Sequence, residues 1–141
     1  VILYTLIKRN RYSDLMHDIG ITAFCGIFGT VYEYYSHGVY SGYMQLMFLF
    51  PLLGGIIPSI LQLIIPQIPK TNAAVKKLWK CGVVTLTVGS AMTGVFEIYG
   101  GSVPLLVSGY WLAGVLLAGI AVILTCQENK IPYFQKFALN F

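Results

Sequence analysis

Between Tyr43 and Ile65 the chain reads YMQLMFLFPLLGGIIPSILQLII, a run with no charged side chain. A hydrocarbon core about 30 Å thick is crossed by about 20 helical residues, so this run is long enough to span a bilayer. Lipid offers the backbone no hydrogen-bonding partner, and a single segment can satisfy its own amides there only as a helix. Working outward, three further apolar runs appear, and the spacing predicts spans at about 19–36, 43–65, 81–99 and 104–126. Pro66, Pro69 and Lys70 are expected to end the second span. The sequence reads as an all-α membrane protein of four transmembrane helices. Residues 1–18 form an N-terminal segment and residues 127–141 a tail.

Composition agrees. Of the 141 residues, 57% are hydrophobic and 10% charged, against about half and about one quarter in soluble domains. The net charge is +4, but a mean hydropathy of +0.74 excludes a cationic soluble domain that holds nucleic acid. The lipid bilayer is the first partner. All nine basic residues fall in the N-terminal segment, the link between spans two and three, or the tail; the other two links carry none. The positive-inside rule then places both termini in the cytoplasm. Tyr34, Tyr35, Tyr40, Tyr43, Tyr99, Tyr110 and Trp111 mark the opposite ends of the spans, and Trp79 marks the cytoplasmic boundary. Residues 1–7 are too few to cross and are not followed by the small-residue site of a signal peptide, so they read as a short interfacial segment.

Shifting the chain by 64 positions lays Val31-Tyr32-Glu33-Tyr34-Tyr35 on Val95-Phe96-Glu97-Ile98-Tyr99 and Leu52-Leu53-Gly54-Gly55-Ile56 on Leu116-Leu117-Ala118-Gly119-Ile120. This predicts two similar helical hairpins, a parallel pseudo-repeat about an axis along the membrane normal. Ala23, Gly26, Thr30, Glu33 and His37 fall on one stripe of helix one, and Thr87, Ser90, Gly94, Glu97 and Gly101 on its counterpart in helix three. Small residues let helices approach closely where lipid supplies no hydrophobic drive, so Gly26, Thr30, Ser90 and Gly94 are expected to form a direct seam between helices one and three. In helix two, Pro51 and Pro58 flank Gly54-Gly55. Proline removes a backbone donor, which predicts a hinge whose freed carbonyls need partners.

Of the five acids, Asp14, Asp18 and Glu128 fall at cytoplasmic boundaries, leaving Glu33 and Glu97 about one turn inside the opposite face. Intramembrane carboxyls are costly and raise a functional hypothesis. Glu33 and Glu97, with His37, Tyr35 and Tyr99 beside them, are candidates to share a proton or hold a cation, helped by aromatic faces. The alternative is that each carboxyl only bonds nearby hydroxyls or loop amides and fixes helix ends. His37 and the two glutamates lack a fourth ligand, so no metal is expected. His17 and His37 lie at opposite faces and cannot ligate one haem. Cys25, Cys81 and Cys126 form no C-x-x-C pair and read as packing residues. No nucleotide, zinc-protease or hydrolase motif is present, so neither an enzyme nor a cofactor is expected.

The stretch Phe28 to Ser41, with its element Tyr32-Glu33-x-x-Ser36-His37-Gly38-Val39, followed by Met47 to Gly55 and by Thr85 to Ser90, resembles small four-span membrane proteins of Gram-positive, largely anaerobic bacteria. The resemblance covers about residues 16–126 and implies a bacterial plasma membrane and no particular substrate. Two functions stay open. One is a non-catalytic accessory or interaction subunit of a larger membrane complex; the other is a small, oligomeric transporter or cation-handling protein using Glu33 and Glu97.

Overall fold

The computed structural model describes residues 2–64 and 72–138, with side chains described within 12–64 and 72–128. Four helices account for nearly all of it: α1 (Ile2–Tyr35), α2 (Gly42–Ile64), α3 (Ala73–Ile98) and α4 (Leu105–Ala138). No strand occurs among the described residues. Each helix contains a segment long and apolar enough to cross a membrane: Tyr12–Tyr35, Gly42–Ile64, Ala73–Ile98 and Leu105–Glu128. Large apolar side chains such as Phe24, Ile27, Leu112 and Val115 point away from the protein. Such faces are stable against lipid and not against water, so the chain is a multi-pass membrane protein.

Two helices start earlier than the spans read from sequence. α1 runs without a break from Ile2, so the N-terminal segment is not separate from the first span. α3 starts at Ala73 rather than Cys81, its first turn capped by the Asn72 side chain, which accepts from the Ala74 amide. Charge-free length reports where lipid begins; it is blind to helix that continues beyond the hydrocarbon, where Lys and Arg are good helix formers. The prolines expected to end α2 lie outside the described residues.

α3 is the central strut. One third of its most apolar segment is buried, against 11–17% for the other helices. α4 lies along one side of it, with Gly82 against Ala118 and Gly114 against Leu86; a Cβ on Gly114 would stand 2.7 Å from Leu86 Cγ. α2 lies along another side, and α1 packs on α2.

The expected seam between helices one and three is corrected here. Gly26 lies against Phe48 and Gly94 against Met44, both on α2, while Ser90 donates to the Tyr43 carbonyl of α2 at 2.7 Å. Thr30 is exposed and bonds its own helix at the Gly26 carbonyl. α2 thus runs between the two small-residue stripes. Met44, 1% exposed, is gripped from both sides: a Cβ on Gly29 would stand 2.8 Å from its carbonyl oxygen, and one on Gly94 2.9 Å from its Cβ. The small residues do permit close approach; their shared partner is the helix between them.

α2 itself is irregular. A 3-10 turn at Leu46–Phe48 precedes Pro51, and a π turn at Leu52–Ile56 carries Gly54 and Gly55 toward Pro58. Pro58 has no amide hydrogen for the carbonyl four residues back, that of Gly54. The Trp79 indole of α3 donates to that oxygen at 2.7 Å. The hinge residues therefore produce a local change of winding, and the freed carbonyl finds a protein partner as lipid requires.

Candidate functional site

Polar side chains gather at the two ends of the bundle. At one end, here the carboxylate end, the last turn of α1 carries Glu33 and that of α3 carries Glu97. The α1–α2 link turns through His37 (φ 57°) and Gly38 (φ 91°), left-handed conformations that reverse the chain sharply and deliver Ser41 to the start of α2. The α3–α4 link closes in the same way at Gly100 (φ 70°), whose amide donates to the Glu97 carbonyl while the Gly101 amide donates to that of Phe96. That pair of bonds is a Schellman closure, and it holds the last turn of α3 in place.

Ser41 is the meeting point. It is 1% exposed, and its hydroxyl donates to Glu97 Oε2 at 2.6 Å. Its amide donates to Glu33 Oε1 at 3.4 Å, and Gln45 Nε2 donates to Glu33 Oε2 at 3.0 Å. Ser41 occupies the N-cap position of α2 without using its own side chain as a cap. The first amides of a helix carry partial positive charge, and a carboxylate near them is favourable by about 0.3–1 kcal/mol. Glu33 and Glu97 thus approach one helix start from two sides. Among the described residues neither makes an ion pair.

The remaining predicted site residues are placed elsewhere. Tyr35 and Tyr99 are exposed, and with His37, Tyr32, Ser36 and Ile98 they line a separate depression of about 330 Å³. No hydrogen bond joins His37, Tyr35 or Tyr99 to either carboxylate. Among the described residues no three His, Cys, Asp or Glu side chains come together as a metal site. Cys25 is buried, as a packing residue should be, whereas Cys81 and Cys126 are exposed on the helix surface.

At the other end, here the lysine end, Asp14 pairs with Lys76, and Asp18 pairs with Lys80 at 3.1 Å. Both acids are four apart on α1 and both lysines four apart on α3, so two rungs form on facing helix surfaces. Asp18 is 6% exposed and also accepts from Ser59 of α2 at 2.8 Å. Gly55 makes room for it, since a Cβ there would stand 3.2 Å from the aspartate. Glu128 of α4 accepts from the Asn72 amide at 3.1 Å. The aspartates were readable only as boundary residues, because a pairing across 62 positions has no local mark. The i, i+4 spacing repeated in both acids and lysines is the one signal that could have suggested it.

Between α2, α3 and α4 runs an apolar groove of about 630 Å³. Trp111 of α4 forms one wall, edge-on to Tyr43 and Phe50 at centroid distances of 6.0 and 5.7 Å, and its indole donates to Thr93 at 3.1 Å. Glu97 lies on the groove at the carboxylate end, and Trp79 lines it nearer the lysine end. No family model, no curated protein and no solved structure matches the chain.

Proposed function

We propose that the protein is a non-catalytic accessory or interaction subunit of a larger membrane complex. The observation that carries this reading is the way its intramembrane polar groups are engaged. Every described buried side-chain oxygen and nitrogen has a hydrogen-bond partner, and Glu33 and Glu97 hold the start of α2. What the helices present outward is apolar: Leu105, Leu106 and Leu112 of α4 are 89%, 76% and 67% exposed. α4 touches little besides α3, so this face is free to pack on another transmembrane helix. Copurification from native membranes in mild detergent tests the reading. A larger membrane protein in fixed stoichiometry is the expected result, and a particle containing this chain alone would overturn it.

A second reading is a small transporter or cation-handling protein, favoured by two carboxylates around one serine with no cationic side chain paired to either among the described residues. Proteoliposomes loaded with a pH- or cation-sensitive dye test it. Flux lost in both Glu33→Gln and Glu97→Gln supports it, and no flux above empty vesicles counts against it.

We also propose a bacterial plasma membrane, as the resemblance of Phe28 to Ser41 and the stretches after it implies, and, on the grouping of the nine basic residues, an orientation with the lysine end and both termini in the cytoplasm. A cysteine at exposed Ser102, in a cysteine-free background, should react with an impermeant thiol reagent from outside, and one at Ala73 should not. The duplication is supported by register: Asp18 faces Gly55 in the first hairpin and Gly82 faces Ala118 in the second, one residue from the match that a 64-residue shift predicts.

A further inference from the structure

The groove between α2, α3 and α4 is apolar along its length but not at its mouth, and the contrast identifies an occupant. Its volume, about 630 Å³, is in the range of sites that hold small ligands, about 300–1,000 Å³. Leu46 and Leu53 on its rim are 55% and 51% exposed, so it opens sideways toward the bilayer rather than toward water. At the carboxylate end its lining includes Glu97, whose Oε2 accepts the hydrogen bond of the Ser41 hydroxyl, while Oε1 accepts from no described residue. Among the described residues no basic side chain lines the groove. Tyr43, Phe50 and Trp111 stand together on the wall of the groove, and aromatic ring faces attract a cation.

We propose that this groove is a lipid site: it holds an acyl chain of a bilayer lipid whose head group carries an ammonium, and that ammonium pairs with Glu97. The hydrocarbon follows from the lining, and the sign of the head group follows from an unopposed carboxylate at the mouth. An anionic head group there would face Glu97 with no basic side chain among the described lining residues to offset it, and Lys76 and Lys80 are held at the other end by Asp14 and Asp18. The assignment does not depend on whether the chain serves a larger complex.

The protein carries its own reporters, because its two tryptophans, Trp79 and Trp111, both line the groove. The full chain is placed in bilayers of unlabelled phosphatidylglycerol, a host with no ammonium to compete for the site, doped with lipids brominated on the acyl chains, bromine being a short-range quencher of indole fluorescence. The brominated lipid carries either an ethanolamine or a glycerol head group on the same phosphate and chains. We expect saturable quenching, with half-effect at a mole fraction about two- to five-fold lower for the ethanolamine lipid, as befits one partly exposed ion pair. Glu97→Gln should abolish that preference and leave quenching by the chains, Glu97→Asp should keep it, and Leu53→Phe, which narrows the groove, should weaken both lipids alike. Quenching that never saturates means ordinary boundary lipid and overturns the site. Equal curves for the two head groups, or a preference that survives in Glu97→Gln, overturn the role of Glu97. Should Glu97→Gln fail to fold, the wild-type curves with Leu53→Phe and Glu97→Asp still decide.

Discussion

At the lysine end, Asp14 meets Lys76 and Asp18 meets Lys80, so each acid has a cation opposite it on another helix. At the carboxylate end, Glu33 and Glu97 converge on Ser41, and the positive partner is the start of a helix rather than a side chain. The first arrangement joins α1 directly to α3; the second joins each of them to α2. Ion pairs with a buried member are unforgiving, because removal of one partner strands a charge. Carboxylates on helix amides at an interface are tolerant, since water and neighbouring polar groups can substitute for much of what is lost. The difference makes the lysine end the mechanical anchor and leaves the carboxylate end free for binding.

The largest effect should come from Lys80→Met, which leaves Asp18, 6% exposed, without its cation. The loss is expected to be about 3 kcal/mol, the low end for a buried pair because Lys80 is partly exposed. Equilibrium unfolding in mixed micelles measures it, and Asp18→Asn added to Lys80→Met should recover most of the loss. Lys76→Met, at a pair whose members are both about one-third exposed, should cost no more than about 1 kcal/mol. Equal costs at the two rungs would mean that burial of Asp18 does not set the strength of this end.

Next in size is the grip on Met44, the packing counterpart at the carboxylate end. Gly94→Ala places a Cβ 2.9 Å from Met44 Cβ and 3.0 Å from its backbone nitrogen, and overpacking of this kind costs about 1–3 kcal/mol. Gly109→Ala, with nothing within 4 Å of its new Cβ, should instead stabilise α4 by about 0.5–1 kcal/mol. The same unfolding assay separates the two, and a neutral Gly94→Ala would show that α2 and α3 can move apart at no cost. Between the ends, Trp79→Phe should lose about 1–2 kcal/mol by leaving the Gly54 carbonyl without its donor.

These predictions also mark what was legible in the sequence. The four helices were, because a charge-free run longer than the bilayer is thick admits few structures. The irregularity of α2 was legible too, since Pro58 dictates that one carbonyl goes unpaired; that Trp79 would meet it was not, and Trp79 read only as an interfacial aromatic. The small-residue stripes were correctly found and wrongly paired. Periodicity tells which face of a helix is narrow and says nothing about which neighbour occupies it, so Gly26 and Gly94 pointed to each other when both point to α2. At the site, the matched glutamates stood out by their depth, whereas Ser41 and Gln45, which bind them, lie in or just after a link where polar residues are ordinary. The salt-bridged rungs were hidden for a related reason: charges near a helix end read as solvated unless their partner is known.

The smallest effect is the most discriminating. Gln in place of Glu97 keeps an amide oxygen to accept the Ser41 hydroxyl and removes only the charge, while Gln in place of Glu33 keeps one for the Ser41 amide and meets Gln45 through its amide nitrogen once the Gln45 amide turns over, so each single substitution should cost about 0.3–1 kcal/mol. If the two carboxylates act separately on α2, Glu33→Gln and Glu97→Gln should add, because each accepts from a different donor atom of Ser41. If they hold a cation together, binding to the folded protein adds stability that grows with cation concentration. Wild type should then gain stability with one cation and not with others at equal ionic strength, and either single Gln variant should lose that gain. Additive costs with no cation-specific gain would leave Glu33 as an anchor of α2 and reserve Glu97 for the groove. A shared, cation-dependent gain would move the site from the groove mouth to the space around Ser41, and the carboxylate end would then be a binding centre in its own right.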